Sequence, residues 1–301
     1  MIDKLYTIID LGSNSFHMLT VNKIDDGFSV FSKKKQKVRL ASGLDENNNL
    51  DQQTIELGLN CLQKFRNELD KLRPEKLIIT ATAALRLANN KHQFISQAEK
   101  ILRNPINLIS GIEEAKTIYR GVAFTEKSSL QLLVIDVGGA STELIIGQGE
   151  NVLEAQSLEM GCVTWLNNFF SDKQLSADNF AQAITHAKAV IEPQREKYLS
   201  RGWSLCIGAS GTIQAVNEVN SKQQLQEQVT LSLLNNIKQQ CINTSCIEQM
   251  NIDGLKESRK PVFASGLAIL IALFESLSIS SIEPSKGALR EGLISILFEE
   301  K

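Results

Sequence analysis

The spacing of apolar and polar residues divides the chain into segments with strand periodicity and segments with helix periodicity. In the first forty residues the two types alternate in short runs separated by turn residues. This alternation predicts a meander of antiparallel strands over residues 6–11, 16–22, 28–32 and 36–40. From residue 51 to residue 72 apolar residues recur at every third or fourth position, and Pro74 follows, which predicts a helix that ends before the proline.

Strands and helices then alternate as far as residue 124. The pattern predicts a strand over 77–82, a helix over 84–102, a strand over 106–109 and a helix over 111–124. Such alternation favours an α/β fold.

The same plan starts again near Leu130, with predicted strands over 132–137, 142–147 and 152–157. A helix over 177–198, a strand over 204–207 and mostly helix to the end complete the series. The restart predicts a domain boundary within 126–129, and therefore two domains, 1–126 and 127–301. In this interpretation the last helix can pack back on the first domain.

Composition narrows the class of protein. A length of 301 residues is comfortable for two domains, and the formal net charge of -2 argues against a nucleic-acid partner. The longest apolar run, 267–274, is too short to span a bilayer, and the N-terminus lacks the pattern of a signal peptide. The five cysteines show neither a disulfide framework nor zinc spacing. We therefore expect a cytoplasmic protein without a membrane partner.

One turn occurs twice, once at the start of each half. Asp10-Leu-Gly-Ser-Asn-Ser and Asp136-Val-Gly-Gly-Ala-Ser share the pattern D-x-G-x-x-S, each between two apolar strands. Such a bend exposes backbone N–H groups to phosphate, and an aspartate beside it is a hard ligand suited to Mg²⁺. A plain hairpin turn is the alternative for either copy alone. Two copies favour a duplicated fold with a cleft between the halves. The candidates are the metal ligands Asp10 and Asp136 and the phosphate-binding residues Gly12, Ser13, Asn14, Ser15, Gly138, Gly139 and Ser141.

Other candidates follow from single features, and each has a structural alternative. Glu143 should share a face with Ser141, where it either binds a metal through water or forms an ion pair. Arg86 follows a predicted strand and suits either phosphate or a structural ion pair. A third glycine-rich turn opens a predicted helix, as an anion site or as a simple N-cap. Its candidate residues are Gly208, Ser210, Gly211 and Thr212.

Two adjacent glutamates are separated by helix geometry. Ser110 and Glu113 fit a capping box, so Glu113 is expected to serve the helix start. Glu114 flanks the apolar stripe that is expected to pack inward, and spacing alone does not show whether it reaches a cleft. The stripe consists of Ile112, Ala115, Tyr119 and Val122.

The remaining charged and titratable residues give weaker signals. The lysine-rich run 33–39 is either a solvated edge strand or a guide for a polyanion. The three histidines share no ligand spacing and are expected in core or surface positions.

Six motifs in order resemble the exopolyphosphatase and guanosine pentaphosphate phosphohydrolase family. They are IDLGSNSFH (9–17), TATAALR (80–86), ISGIEEAKTIYRGV (109–122), IDVGGASTEL (135–144), GASGT (208–212) and GALREG (287–292). The resemblance implies an actin-like, ribonuclease-H-like fold with the active site between two domains, and Mg²⁺ or Mn²⁺ as cofactor. It also implies that Glu114 is the catalytic glutamate, that Asp136 and Glu143 are metal-associated, and that Arg86 and the two loops contact phosphate.

The chain departs from the family pattern at Ala140, which holds the place of a third glycine and is harmless only if its φ is negative. By the same resemblance the chain is expected to be a short, two-domain member.

The resulting hypothesis is an attack by water, activated by Glu114, on a terminal phosphoryl group. The main expectation is an exopolyphosphatase acting on inorganic polyphosphate, and the alternative is hydrolysis of the 5′ phosphate of guanosine pentaphosphate. An actin-like kinase or ATPase and a non-catalytic sensor of an alarmone or polyphosphate are the rivals from other classes. A homodimer is left open.

Overall fold

The structure, a computed structural model, describes residues 4–25 and 27–299. It contains two compact units: residues 1–121 with 289–301, and residues 122–288. The division therefore falls five residues before the predicted boundary, inside a helix, and the last helix belongs to the first unit. The predicted boundary lies where the helix Gly111–Glu126 ends and the turn residues begin. The division between the units depends instead on which residues pack together.

The first unit contains a five-stranded sheet in the order β3-β2-β1-β4-β5. β1 is antiparallel to β2, β2 is antiparallel to β3, and β1, β4 and β5 are parallel. The strands are β1 (Leu5–Leu11), β2 (Ser15–Ile24), β3 (Gly27–Lys37), β4 (Lys76–Ala81) and β5 (Asn107–Leu108). The helices that follow them are α1 (Gln52–Leu72), α2 (Ala83–Leu87), α3 (Lys91–Leu102) and α4 (Gly111–Glu126).

The second unit repeats this topology with β10-β9-β6-β7-β8, so the predicted duplication is present strand for strand. Its strands are β6 (Gln131–Val137), β7 (Thr142–Gln148), β8 (Asn151–Leu158), β9 (Leu205–Gly208) and β10 (Glu283–Pro284). Its helices are α5 (Cys162–Phe169), α6 (Ala177–Arg201), α7 (Gly211–Gln223), α8 (Leu231–Asn243) and α9 (Lys260–Leu277). The short strand β10 lies in the C-terminal part that was expected to be mostly helical. The final helix, α10 (Leu289–Glu299), packs on β1 and β4 of the first unit.

Two predicted elements of the first unit are wrong. No separate strand covers 36–40, because β3 runs unbroken to residue 37 and a 3₁₀ turn, Leu40–Gly43, follows. The helix predicted over 84–102 is two helices. The break is made by Asn90, whose side chain accepts a hydrogen bond from the Leu50 N–H and donates one to the Leu50 carbonyl, both at 2.9 Å. These two hydrogen bonds tie the segment between α2 and α3 to Leu50, forty residues away.

Helix α9 forms the centre of the second unit's core. Among the described residues it is the one helix long and apolar enough to cross a membrane, yet 78% of that stretch is buried inside the structure. It packs against α6, α5 and α8. A helix that is apolar on all sides and surrounded by others is typical of a protein core.

Candidate active site

The loop of the first D-x-G-x-x-S turn, the predicted first phosphate loop, joins β1 to β2 and is held from one side by the segment after β3. The Ser13 carbonyl accepts a hydrogen bond from Ala41 N–H at 2.9 Å, and the Asn14 carbonyl accepts from Val38 and Arg39 at 3.3 and 3.0 Å. In a trans peptide the C=O and the next N–H point in opposite directions, and the described residues contain no cis peptide. Two successive loop N–H groups are therefore directed away from this segment, as in an anion-binding nest.

The Ser13 hydroxyl fixes the loop to a second element. Its oxygen accepts a hydrogen bond from Ala84 N–H at 3.1 Å, at the start of α2. Ser13 thus links the first loop to the helix that carries Arg86, and its own hydroxyl proton remains able to donate to a phosphate.

The second loop is built by the same device. The carbonyls of Gly138 and Gly139 accept hydrogen bonds from Cys162 and Val163, both at 2.8 Å, at the N-terminus of α5. Gly161 permits this contact, since a Cβ there would lie 2.4 Å from the Gly139 carbonyl oxygen. The N–H groups of the same two peptides belong to Gly139 and Ala140, and they are again directed away from the helix.

Two details of the second loop refine the predictions. Gly138 N–H donates to the Ser141 carbonyl at 2.9 Å, so Gly138 closes the turn and its N–H is not offered to phosphate. Ala140 is buried and has no positive φ, so the departure from the three-glycine pattern is without steric cost.

Glu114 lies in the first turn of α4 and is buried, with 7% of its surface exposed. Arg86 Nη1 lies 2.5 Å from Glu114 Oε2 and also donates to the Ile109 carbonyl at 3.2 Å. Burial raises the pKa of Glu114, and the guanidinium of Arg86 opposes this shift. A buried carboxylate with a raised pKa, held in place by one cation, has the properties of a general base. Arg86 was expected either to contact phosphate or to form a structural ion pair. Its ion pair is with the candidate base, so the two roles are not exclusive.

The neighbouring glutamate has the structural role that its spacing predicts. Ser110 N–H donates to Glu113 Oε2 at 2.8 Å, and Glu113 N–H donates to Ser110 Oγ at 3.2 Å, which forms the capping box. The predicted inward stripe is wrong at its first position, because Ile112 is 38% exposed. The other three positions of the stripe, Ala115, Tyr119 and Val122, are buried.

Asp10 is the penultimate residue of β1 and is buried, with 8% of its surface exposed. Its Oδ1 atom is buried and has no hydrogen-bond partner among the described residues. Burial raises the pKa of Asp10 to about 7; Arg290 lowers it, and Glu114 and Glu291 raise it further. A buried carboxylate oxygen without a partner is costly unless a ligand satisfies it, so Asp10 fits a cation or a protonated phosphate oxygen.

In the second unit two carboxylates lie directly opposite each other on adjacent strands. Asp136 on β6 pairs with Glu143 on β7, and residues so paired place their Cβ atoms about 4.5–5.5 Å apart on one face. Glu143 is 1% exposed, and Ser157 donates a hydrogen bond to it at 2.7 Å. Opposed carboxylates repel each other, and a hard divalent cation would offset that repulsion. Among the described residues no group of three or more Asp, Glu, His or Cys side chains is assembled. Mg²⁺ needs only one or two carboxylates beside water and phosphate.

The third glycine-rich turn forms the N-terminus of α7. Ser210 caps the helix, its oxygen accepting from Ile213 N–H at 3.4 Å, and Gly208 packs against the Ile213 side chain. Thr212 is buried against Gly266 of α9. The turn is therefore an N-cap, and an anion-binding role for it stays a prediction.

Three residues near these loops were not identified from the sequence. The Arg259 guanidinium packs on Gly211, where a Cβ would lie 2.3 Å from its nitrogens, and it forms no ion pair within 4–25 and 27–299. Arg290 Nη1 lies 3.3 Å from His17 Nδ1, and His17 pairs with Asp10 across β1 and β2. His17 is thus in the site rather than in the core or on the open surface. His17 and Arg290 lie inside the motifs 9–17 and 287–292, which single out neither of them, and Arg259 lies outside the six motifs. The two arginines reach their positions through packing between distant segments.

The Ppx/GppA phosphatase family model matches residues 20–300. A guanosine-5′-triphosphate,3′-diphosphate pyrophosphatase of Vibrio parahaemolyticus is 49% identical over 296 residues, which are 98% of this chain and 60% of the relative. The enzyme of the same name from Vibrio cholerae is 49% identical over 290 residues, 96% of this chain and 58% of the relative. The chain thus spans about 60% of the length of these curated relatives.

Solved structures of lower identity share the fold. An exopolyphosphatase from Cytophaga hutchinsonii superimposes with a TM-score of 0.88 at 24% identity, over 98% of both chains. A Ppx/GppA family member from Aquifex aeolicus gives 0.80 at 20% identity, over 99% of both chains. The predicted duplicated α/β fold is confirmed.

Proposed function

Because this chain belongs to the Ppx/GppA phosphatase family, we propose that it hydrolyses the terminal 5′ phosphoanhydride of guanosine pentaphosphate. The support for this substrate is the name carried by relatives of 49% identity. These names favour guanosine pentaphosphate, the alternative expectation from the sequence, over inorganic polyphosphate, the main expectation. Polyphosphate is therefore the second substrate in the test.

The observation that carries the proposal is the buried pair of Glu114 and Arg86. In the proposed reaction Glu114 accepts the proton of the attacking water, which its raised pKa favours. Arg86 fixes the carboxylate through the 2.5 Å contact, and its remaining N–H groups are a fork suited to phosphate oxygens. Proton transfer to Glu114 turns a neutral water into the nucleophile as the bond to the terminal phosphorus forms and the anhydride oxygen leaves.

The phosphate loops supply the second part of the proposed machinery. The outward N–H groups after Ser13 and Asn14, and those after Gly138 and Gly139, are fixed before substrate arrives, because the carbonyls of the same peptides are already bonded. Donors fixed in advance stabilise developing charge without reorganisation. Ser15 and Ser141 lie at the ends of these loops and are proposed as additional donors. Arg259 is a proposed phosphate contact at the third turn.

Mg²⁺ is the proposed cofactor, with Mn²⁺ as the second choice, since oxygen ligands suit both. Asp136 with Glu143 in one unit, and the unpartnered Oδ1 of Asp10 in the other, fit a hard divalent cation. When bound, such an ion neutralises phosphate charge.

Other classes of protein use the same fold differently. A sensor that binds phosphates without hydrolysis has no need for a buried glutamate held beside the phosphate loop, and a kinase needs an acceptor in place of water. Binding without hydrolysis, which is the behaviour of a sensor, is one outcome of the experiment below.

The experiment is phosphate release by purified wild type, Glu114→Gln and Glu113→Gln, with Mg²⁺, on guanosine pentaphosphate and on long-chain polyphosphate separately. Loss of a general base should lower kcat by about 10²–10⁴ in Glu114→Gln. Glu113→Gln is the matched control, because glutamine preserves a capping box one residue away.

Each result has one reading. Release of one phosphate per guanosine pentaphosphate, lost in Glu114→Gln and retained in the control, supports the proposal. Release from polyphosphate alone supports the second substrate. Full activity of a folded Glu114→Gln would exclude the assigned base, and binding without release in wild type would favour the sensor.

A further inference from the structure

The lysines of β3 do not all face the same side of the sheet. β3 pairs antiparallel with β2, with Lys35 opposite His17 and Lys37 opposite Ser15. Directly opposed residues lie on one face of a sheet. Because His17 is in turn opposite Asp10, Lys35 and Lys37 lie on the face that carries Asp10.

Lys34 lies on the other face. It pairs with the buried Met18, and its Nζ lies 3.7 Å from Glu68 on α1. On one face of the run 33–37, Lys34 contacts Glu68. On the other face, Lys35 and Lys37 are exposed beside the first phosphate loop.

The duplicated sheet shows that this row of residues differs between the units. In the second unit the row is Asp136, Glu143 and Ser157, which combines two acids and a hydroxyl. In the first unit the equivalent row is Asp10, His17 and Lys35, and Arg290 contacts His17. The same position in the fold is thus acidic in one unit and basic in the other.

We propose that Lys35 and Lys37, together with His17 and Arg290, form a subsite for a second phosphate group of the substrate, beside the phosphoryl group that is attacked. This inference rests on the proposed function. Neighbouring strands lie about 4.8 Å apart, so Lys35 is about two spacings, roughly 10 Å, from Asp10. The flexible four-carbon side chain of Lys35 can carry its ammonium group part of the way across that distance, which leaves room for a phosphate group between them. The occupant is a phosphate group of the substrate. In the nucleotide it is the 3′-diphosphate or a 5′ phosphate, and in a polyphosphate it is the continuing chain.

The test uses the single variants Lys35→Gln and Lys37→Gln, with Lys34→Gln as the matched control. All three remove one charge from the same strand, and only the control residue faces α1. We expect KM for guanosine pentaphosphate to rise by about 2- to 5-fold in each test variant, the range spanned by exposed ion pairs. We expect kcat to be unchanged in the test variants, and Lys35→Arg should have the KM of wild type. Added salt should raise the KM of wild type more than it raises the KM of the test variants.

Calorimetry with two ligands that carry the same 5′-diphosphate identifies the occupant without turnover. The ligands are guanosine tetraphosphate (ppGpp), which also has a 3′-diphosphate, and GDP, which has none. A loss of affinity for ppGpp alone places the 3′-diphosphate in the subsite, and an equal loss for both places the 5′ phosphates there. Test variants that match Lys34→Gln in KM and in ppGpp binding would overturn the inference. If wild type releases no phosphate the proposed function fails, and the ppGpp titrations still decide whether the subsite exists.

Discussion

Removal of Arg86 should destabilise the protein more at high pH than at low pH. In Arg86→Gln the carboxyl of Glu114, 7% exposed, loses the guanidinium that lies 2.5 Å from it. Arg86 opposes the effect of burial, so its loss raises the pKa of Glu114 further above the ordinary value of 4.5.

The sign follows from proton binding. With a raised pKa the folded state binds a proton more readily than the unfolded state, so stability is highest below pH 4.5 and falls as pH rises through the folded pKa. An uncompensated buried carboxylate costs about 3–5 kcal/mol. A protonated, unpaired carboxyl costs about 1–3 kcal/mol. The free energy of unfolding of Arg86→Gln should therefore drop, relative to wild type, by about 2 kcal/mol more at pH 8 than at pH 5.

Urea unfolding of wild type, both single variants and the double variant Arg86→Gln/Glu114→Gln provides the assay. The double variant should lose the additional pH dependence of Arg86→Gln and keep only the contribution of other groups such as Asp10. It should also recover part of the stability, because no unpaired charge remains at position 114, and the coupling energy should be about 1–3 kcal/mol. Equal destabilisation of Arg86→Gln at both pH values, with additive single effects, would show that the two side chains are not coupled as the structure indicates.

Two further predictions concern packing. In Gly292→Ala the added Cβ would lie 1.9 Å from the Thr117 carbonyl oxygen, so α10 must move away from α4, and we expect a loss of about 1–3 kcal/mol in urea unfolding; a variant as stable as wild type would contradict this contact. Maleimide should label one thiol of the native protein, the half-exposed Cys246, and all five after unfolding, because the other four are buried; rapid native labelling of Cys162, whose pKa burial raises to about 12, would contradict the packing around the second loop.

Much of the fold could be predicted because the signals are local. The two D-x-G-x-x-S turns, the alternation around them and the stop at Pro74 each lie within a few residues, and they gave the duplicated sheets and the limits of α1. The break at Asn90 could not be predicted, because it depends on hydrogen bonds to Leu50, forty residues away.

The site shows the same limit. The capping box separated Glu113 from Glu114 by spacing alone, and the structure has that box. Arg290 was not identified, because it lies near the C-terminus and reaches His17 only through the packing of α10 on the first sheet. No periodicity carries that information.

The duplication also indicates which unit is the better place for a metal. Each turn has two successive outward N–H groups, those after Ser13 and Asn14 in the first and those after Gly138 and Gly139 in the second. The units differ more in the residue opposite each aspartate. Opposite Asp136 is Glu143, a second hard oxygen ligand, whereas opposite Asp10 is His17, which lies beside Arg290. Mg²⁺ prefers oxygen ligands and is repelled by a guanidinium. We therefore expect the second unit to hold Mg²⁺ more tightly, and the first unit, with its cations beside Asp10, to hold phosphate.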